Sequence, residues 1–425
     1  MKIYKYPEKT NWKELTKRPV LEKENLENVV KNILSEVQKN GDAALFDFAE
    51  KFDKADLKML KVSEKEIQDA IAIVPEKLKN AIQIAQQNIE KFHRSQIEKK
   101  VVVETTAGVK CWRKSVAIDK VGLYIPGGTA PLFSTILMLG IPAKIAGCGG
   151  VILCTPPDKN GKVNPAILYT ANLIGITHIF KVGGAQAIAA MAYGTETIPS
   201  VYKIFGPGNQ YVTKAKEMIQ QKGIAIDMPA GPSEVLVVAD ASCEPAFVAA
   251  DLLSQAEHGV DSQVVLLADN QEVIKRILTE VQSQLKELPR KEIAAKALIN
   301  SKAILFENME ECFGFSNAYA PEHLIIASEN ADNFIEKITN AGSVFLGNYS
   351  CESAGDYASG TNHTLPTNGF ARNYSGVSLD SFLKKITFQK LTKTGIQNLG
   401  PTIEIMAEAE GLMAHKNAVS VRLKD

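Results

Sequence analysis

Residues 121–154 read VGLYIPGGTAPLFSTILMLGIPAKIAGCGGVILC, and this stretch decides the fold class. A β-branched run at 121–125 is followed by a glycine-containing turn, an apolar helix-like stretch at 131–146 and a second apolar run at 151–154. Apolar strands separated by helices are typical of βαβ units in a mostly parallel sheet. Lys144 and several Gly and Pro residues interrupt the stretch, so we interpret it as a buried helix and strand rather than a membrane span.

The same alternation of strands and helices continues towards the C-terminus in two series. The first series has further strands at 178–182, 201–205 and 234–238, with helices at 164–174 and 186–193. The second series has helices at 245–258, 271–288, 309–317 and 331–338, and strands at 263–268, 303–305, 324–327 and 343–346. We predict an α/β fold with two doubly wound, incomplete Rossmann-like domains, a cleft between them, and ligands at the carboxyl ends of their strands.

Helical N-terminal and C-terminal extensions are predicted on either side of these domains. Residues 25–95 have helical apolar spacing, which is interrupted at Asn40-Gly41-Asp42, and the tail is predicted to be helical at 381–390 and 402–414. The Gly- and Ser-rich residues 351–375 are predicted to form a functional loop. We divide the chain into an N-terminal segment (1–24), a first α/β domain (25–120 plus 235–377), a second α/β domain (121–234) and a C-terminal helical tail (378–425).

The composition is that of an ordinary soluble protein, with 45% apolar and 23% charged residues. Lys plus Arg and Asp plus Glu both total 48, so no excess of basic residues indicates a polyanionic partner. The first ten residues lack the apolar region of a secretory signal, and the six cysteines form no CxxC pair. We therefore predict a cytoplasmic protein with reduced thiols and without nucleic-acid or membrane partners.

Four of the six histidines lie near carboxylates, chain breaks or loops, a pattern that favours a site: His258, His323, His363 and His415. Gln255 and His258 are three residues apart at the end of a predicted helix, so their side chains share a face. Together with Asp356 and His415 they could supply two nitrogens and two oxygens to one divalent ion, and zinc, manganese or cobalt would accept this set. The four residues lie on distant segments, so spacing alone leaves separate structural roles open.

Glu322 and His323 place a carboxylate beside an imidazole directly after Pro321. Adjacent side chains on a regular strand face opposite ways, but at a turn that enters a strand both could reach one ligand. An imidazole suits a general base, and a neighbouring carboxylate can activate a water molecule. The alternative interpretation is a charged strand entry without a catalytic role.

Three glycine-containing turns each lie between a predicted strand and a predicted helix: Tyr124-Ile-Pro-Gly-Gly128, Lys181-Val-Gly-Gly-Ala-Gln-Ala187 and Phe205-Gly-Pro-Gly-Asn-Gln-Tyr211. Backbone amides at such turns favour phosphate or pyrophosphate. The G-x-G-x-x-G pattern is not present, since Tyr211 stands where the third glycine would be. The turns therefore indicate an anionic or dinucleotide ligand, with purely structural tight turns as the alternative.

Taken together, motifs that span roughly Lys110 to Val421 resemble the histidinol dehydrogenase family, in the order in which the family has them. They are Val121-Gly-Leu-Tyr-Ile-Pro-Gly-Gly128, Val182-Gly-Gly-Ala-Gln-Ala-Ile188, Ile204-Phe-Gly-Pro-Gly-Asn209, Asp227-Met-Pro-Ala-Gly-Pro-Ser-Glu234, Leu253-Ser-Gln-Ala-Glu-His-Gly259, Ala320-Pro-Glu-His-Leu324, Glu352-Ser-Ala-Gly-Asp-Tyr357 and Glu408-Ala-Glu-Gly-Leu412. In combination these motifs are highly specific, whereas the first hundred residues are less diagnostic.

The resemblance implies a role for each matching residue. The implied zinc ligands, which also hold the substrate, are Gln255, His258, Asp356 and His415. His323 matches the general base, which also touches the substrate, and Glu322 matches the residue that activates water. Further substrate contacts match Ser233, His363 and Glu410, and the contacts to NAD match Tyr124, Gln186 and Asn209.

The resemblance also implies the reaction. Histidinol is oxidised through bound histidinal to histidine with two NAD, the last step of histidine biosynthesis, while one zinc ion per subunit chelates the substrate imidazole and amine. The family forms intertwined homodimers, so the tail that carries Glu410 and His415 is expected to complete the partner's site. From the residues alone, a metal-dependent hydrolase and a non-catalytic metal- or nucleotide-binding protein remain alternatives.

Overall fold

The computed structural model describes residues 1–19, 25–127, 131–229 and 231–424. Its strands are β1 Lys2–Lys5, β2 Val102–Thr106, β3 Val109–Ala117, β4 Lys120–Tyr124, β5 Gly150–Thr155, β6 His178–Lys181, β7 Lys203–Phe205, β8 Ala225–Ile226, β9 Glu234–Ala239, β10 Gln263–Ala268, β11 Lys302–Leu305, β12 His323–Ala327, β13 Ser343–Leu346 and β14 Leu383–Leu391. Its α-helices are α1 Lys9–Leu15, α2 Leu26–Phe48, α3 Glu64–Ile73, α4 Glu76–Arg94, α5 Phe133–Ala146, α6 Pro165–Leu173, α7 Gly184–Tyr193, α8 Gln210–Gln220, α9 Pro245–Ala256, α10 Gln271–Glu287, α11 Lys291–Ile299, α12 Met309–Tyr319, α13 Glu352–Tyr357, α14 Lys393–Ala409 and α15 Met413–Leu423. Short 3-10 helices lie at Ala331–Lys337, Phe370–Arg372 and Leu379–Phe382, and a π-helical turn at Ala49–Asp53.

The first series of strands forms a five-stranded sheet in the order β6-β5-β4-β7-β8, with every pair parallel. Helices α5 and α6 cover one face, and α7 and α8 cover the other. The strands that the alternating pattern predicts between 121 and 205 are therefore confirmed, with ends that differ by two residues or fewer. The fold class is confirmed as α/β with parallel sheets.

The N-terminal helices α2, α3 and α4, which the sequence assigns to the first α/β domain, pack mainly against the helices that cover this five-stranded sheet. The reason is the composition of α5 and α7, in which almost every side chain is buried. A helix that is apolar on all sides needs a second layer over its outer face. The amphipathic helices α2 and α4 provide that layer, and Gly41 kinks α2 as the sequence predicts. Helix α4 also contacts residues of the first α/β domain, through Asn88 to Ala358 and His93 to Asn362.

The second series forms a six-stranded parallel sheet in the order β1-β11-β10-β9-β12-β13. Strand β1, from the segment at 1–24, joins its edge beside β11. The chain leaves β8 at the carboxyl end of the first sheet and enters β9 at the amino end of the second sheet only a few residues later. The cleft therefore lies between the carboxyl edge of one sheet and the amino edge of the other. The prediction that ligands lie at the carboxyl ends of the strands in both domains is wrong for the second sheet.

A third sheet is antiparallel, with the strand order β14-β3-β2. Its strand β14 leads into the C-terminal part of the chain. The helix predicted at 381–390 is wrong, because residues 383–390 lie in β14, which pairs with β3 along its whole length, and only Ser381 and Phe382 belong to a short 3-10 helix. The β-branched and aromatic residues of β14 favour a strand, and Phe388 stacks on Trp112 across the pair with ring centroids 5.5 Å apart. The helices of the tail are α14 and α15, which pack together as a hairpin.

Within the described residues, no helix combines the length and apolar character that are needed to cross a membrane.

Candidate active site

Residues from both sheets line a cavity of about 300 Å³ in the cleft. The glycine turn after β7 contributes Asn209, and the chain that enters β9 contributes Ser233. His258, Glu322 and His363 complete the set of predicted site residues on its walls. The cavity therefore brings one predicted cofactor contact together with predicted substrate, metal and catalytic residues.

Glu322 and His323 are buried at the amino end of β12, and both contact the backbone of one residue, Glu234 at the start of β9. The Glu234 N–H donates to Glu322 Oε2 at 2.8 Å. His323 Nδ1 lies 3.3 Å from the Glu234 carbonyl oxygen, which can only accept, so Nδ1 carries a proton. Ala320, in the turn before β12, has left-handed backbone angles. The chain leaves this turn so that the side chains of Glu322 and His323 both reach the backbone of Glu234.

His258, Glu352 and Asp356 offer ligand atoms that all lie within 4.8 Å of one another. His323 Nε2 lies 3.4 Å from Asp356 Oδ1, and neither atom has a hydrogen-bond partner among the described residues. In the amide orientation that gives both of its atoms a partner, the Gln255 nitrogen contacts Glu352 and the Gln255 oxygen accepts from the Glu234 N–H at 3.2 Å. Three of the four predicted zinc ligands, Gln255, His258 and Asp356, are thus at this cluster.

Glu352 belongs to the cluster but is not predicted as a site residue. It lies one helical turn before Asp356 on α13, so the two carboxylates share a face of that helix. The i, i+4 spacing within Glu352-Ser-Ala-Gly-Asp356 was the signal available in the sequence.

The cluster has more carboxylates than cations, and its pKa values reflect this. Burial raises the pKa of Glu322 to about 8 and that of Glu352 well above its ordinary value. Burial lowers the pKa of His323, but Glu352, Glu322 and Asp356 together raise it to about 10. Two adjacent orphan atoms, three neighbouring carboxyl groups and a nitrogen–oxygen donor set together fit a divalent cation such as zinc.

His363 is held from two sides at the edge of the cavity. Its Nδ1 lies 2.8 Å from the Asp356 carbonyl oxygen, and its Nε2 lies 3.1 Å from the Thr135 hydroxyl oxygen at the start of α5. Burial lowers the pKa of His363, which favours the neutral ring. The neighbouring Asn362 donates to the Met138 carbonyl oxygen at 2.6 Å, so α5 holds this loop in place.

The predicted NAD contacts lie at the carboxyl edge of the five-stranded sheet. Tyr124 is buried, and its hydroxyl oxygen accepts from the Gly184 N–H at 3.1 Å. Gln186 is buried in α7, while Asn209 caps α8 by accepting from the N–H groups of Tyr211 and Val212. Gly128 and Ala230, which belong to two of the family motifs, lie outside the described residues.

Glu410 and His415 are exposed in the single chain. They lie at the hairpin of α14 and α15, and α14 packs on β2 and β14 rather than on the cleft. The structure of one chain therefore does not bring His415 to the other three predicted zinc ligands.

Comparisons with known proteins find relatives of this chain over its full length. The family model for histidinol dehydrogenase matches residues 16–423. A histidinol dehydrogenase from Bacteroides fragilis is 60% identical over 425 residues, covering 100% of this chain and 99% of that protein. One from Mannheimia succiniciproducens is 52% identical and covers 97% and 98%. A crystal structure of histidinol dehydrogenase from Elizabethkingia anophelis has a TM-score of 0.98 and 63% identity, covering 100% of this chain and 98% of that one. The chain therefore belongs to the histidinol dehydrogenase family.

Proposed function

We propose that this protein oxidises histidinol through bound histidinal to histidine with two NAD, as the last step of histidine biosynthesis. The observation that carries the proposal is the buried pair Glu322–His323, which Glu234 orients through its backbone. Glu322 of this pair lies on the wall of a cavity that also reaches a glycine turn. The family to which the chain belongs supports the same reaction. Because the chain belongs to this family, the alternative function, a metal-dependent hydrolase, is not favoured.

Gln255, His258 and Asp356 are the residues of this chain that would hold a zinc ion, with His415 of the partner subunit as the fourth ligand. Glu352 lies within reach of the same ion. When bound, zinc would hold the imidazole and amine of the substrate and compensate the charge of the surrounding carboxylates. With Asp356 and Glu352 compensated, the charges that raise the pKa of His323 are reduced, and the imidazole can serve as a neutral base.

His323 accepts the hydroxyl proton of histidinol as hydride passes to NAD. Its Nδ1 is occupied by the Glu234 carbonyl oxygen, so the lone pair that takes the proton is on Nε2. Glu322 then takes a proton from water, which adds to the aldehyde, and the hydrate gives the second hydride to a second NAD. The burial of both residues limits access of bulk water to the aldehyde while it remains bound.

NAD is proposed to bind across the carboxyl edge of the five-stranded sheet, at Tyr124, Gln186 and Asn209. The turn at Asn209 lines the same cavity as Glu322 and His363, so a nicotinamide ring placed there faces the substrate. The domain that holds the cofactor would comprise 121–229 with the covering helices α2–α4. The rest of the α/β core, from β9 onwards, would hold the substrate.

Two further proposals concern the assembly and its location. The exposed hairpin that carries Glu410 and His415 is proposed to complete the site of the partner subunit in a homodimer. The six cysteines form no disulfide, which supports a reducing, cytoplasmic location.

The test is an assay of zinc-loaded protein with histidinol and NAD. We expect two NADH for each histidine that is formed, and oxidation of supplied histidinal to yield one. His178→Asn serves as a control, since His178 is exposed and distant in the fold from β12. Absence of NADH from histidinol, with zinc bound and the protein folded, would refute the proposed reaction.

A further inference from the structure

Arg18, in the N-terminal segment after α1, binds the first residue of β9 and the C-terminal end of α12. Its Nε and Nη2 donate to the two carboxylate oxygens of Glu234, each at 2.8 Å. The same Nη2 donates to the carbonyl oxygens of Tyr319 and Ala320 at 2.8 and 3.3 Å. The guanidinium also lies over the Tyr319 ring, 3.5 Å from its centroid.

The start of β9 and the turn after α12 are the segments that hold the proposed acid–base pair. Glu234 opens β9, and its backbone N–H and carbonyl oxygen contact Glu322 and His323. Ala320 is in the left-handed turn that leads into Glu322. Arg18 therefore contacts both the backbone turn that carries the pair and the residue against which the pair is oriented.

We propose that Arg18 is a positioning residue for Glu322 and His323, acting through Glu234. This inference rests on the proposed function and deepens it. The rigid fork of the guanidinium fixes the Glu234 carboxylate relative to the turn at Ala320. This fixes the distance between the Glu234 backbone and the two catalytic side chains, where a displacement of about 1 Å can cost roughly 100-fold in rate.

A role in holding the N-terminal segment alone does not explain this arrangement. Lys302 holds the segment separately, because its Nζ donates to the carbonyl oxygens of Leu15 and Lys17 at 2.8 and 3.0 Å. Trp12 also packs edge-on against Phe306 and Phe315. Buried ion pairs add little net stability compared with apolar residues of the same volume. The side chains of Arg18 and Glu234 are only 9% and 1% exposed, so we attribute to their pair a role in fixing geometry rather than in stabilising the fold.

The first test replaces Arg18 with Met, which keeps the aliphatic length and removes the fork. We expect kcat for histidinol to fall roughly 10- to 100-fold while KM changes less than about threefold, because the residues that hold the substrate are not touched. Arg18→Lys should give an intermediate kcat, since it restores the charge but cannot make the paired contacts. Lys13→Met removes an exposed charge from α1 and should leave kcat unchanged.

The second test separates positioning from a general loss of structure. In a His323→Asn background, adding Arg18→Met should lower the remaining single-turnover rate of the first oxidation, from histidinol to histidinal, less than about threefold. The reason is that the base which Arg18 positions for this step is already gone, and Glu322 acts only in the second step. Zinc content should stay at the wild-type level in both variants. If Arg18→Met does not fold, Glu234→Gln replaces it, with the same expected loss of kcat and the same comparison in the His323→Asn background.

An unchanged kcat in the folded variant overturns the inference, and so does an equal fold-loss in both backgrounds. Wild-type protein that makes no NADH from histidinol instead refutes the proposed function, whatever the Arg18 variants do.

Discussion

Lys216 and Asp227 form a buried ion pair that holds both backbone polar groups of Gly206. Lys216 Nζ donates to the Gly206 carbonyl oxygen at 3.0 Å, and the Gly206 N–H donates to Asp227 Oδ2 at 2.8 Å. Gly206 has φ +130°, and a side chain there would overlap the Tyr124 carbonyl oxygen. The pair therefore fixes a turn that only glycine fits, at the wall where NAD is proposed to bind.

Lys216→Met should raise KM for NAD by roughly tenfold, with a smaller effect on KM for histidinol. A tenfold change in affinity corresponds to about the free energy of one hydrogen bond from a charged group. It should also lower the free energy of unfolding by about 3–5 kcal/mol, because Asp227 is left buried without its partner. Steady-state kinetics and urea unfolding measure the two effects. Lys214→Met, on the same helix but part-exposed, is the matched control. A Lys216→Met/Asp227→Asn double variant should be more stable than Lys216→Met, and a stability loss that simply adds would contradict the pairing.

Removal of zinc is expected to abolish turnover and lower the melting temperature of the protein. His258→Asn should reduce the bound zinc well below one ion per chain, whereas His178→Asn should retain it. The reason is that a ligand that binds only the folded state stabilises that state. Elemental analysis after dialysis, with thermal unfolding in parallel, makes the comparison. Full zinc content and full activity in His258→Asn would exclude this residue as a ligand.

Glu322→Gln should impair oxidation of supplied histidinal more than the first oxidation of histidinol, because only the second step needs activated water. His323→Asn should slow both steps, within the roughly 10²–10⁴-fold range of general acid–base catalysis. Single-turnover measurements of each half-reaction distinguish the two residues. Small and equal losses at both positions would mean that the pair only shapes the entry to β12.

Two inactive variants should regain activity when they are mixed, if the tail completes the partner's site. His323→Asn and His415→Ala, combined under conditions that exchange subunits, would give heterodimers with one doubly altered site and one intact site. The exposure of His415 in the single chain motivates the test. Heterodimers verified by mass but without recovered turnover would show that each chain builds its own site.

Asp251 on α9 should make stability depend on pH, because burial raises its pKa to about 7. A carboxyl whose pKa is higher in the folded state favours folding below its unfolded value of 3.8 and loses that contribution as pH rises through 7. Asp251→Asn should therefore be more stable than wild type at pH 8, by roughly 2–4 kcal/mol, and lose this advantage towards pH 4. Urea unfolding at both pH values measures it, with the exposed Asp332→Asn as control. An advantage that is the same at pH 4 and pH 8 would exclude titration of Asp251 as the cause.

Local sequence determined much of the fold. The alternation of apolar strands and helices from 121 to 346 predicts both parallel sheets, because the two periods depend only on neighbouring residues. Two relationships within the candidate site are also local and can be seen in the sequence alone. Glu322 and His323 are adjacent, and Gln255 and His258 are three residues apart.

Tertiary structure decided the relationships between distant segments. Residues 381–390 are predicted to be helical, but pairing with β3 makes 383–390 part of a strand. Helices α2–α4 cover the five-stranded sheet because its inner helices are apolar on every side, a property of the assembled layers.

The same distinction applies to the candidate site. The sequence identified Glu322 and His323, but only the parallel pairing of β9 with β12 brings Glu234 beside both of them, and only the fold brings Arg18 to Glu234. Glu352 joins His258 because α13 and α9 pack together. Hydrogen bonds and charges act through space over a few ångströms, so contacts between residues hundreds of positions apart follow from packing and not from local pattern.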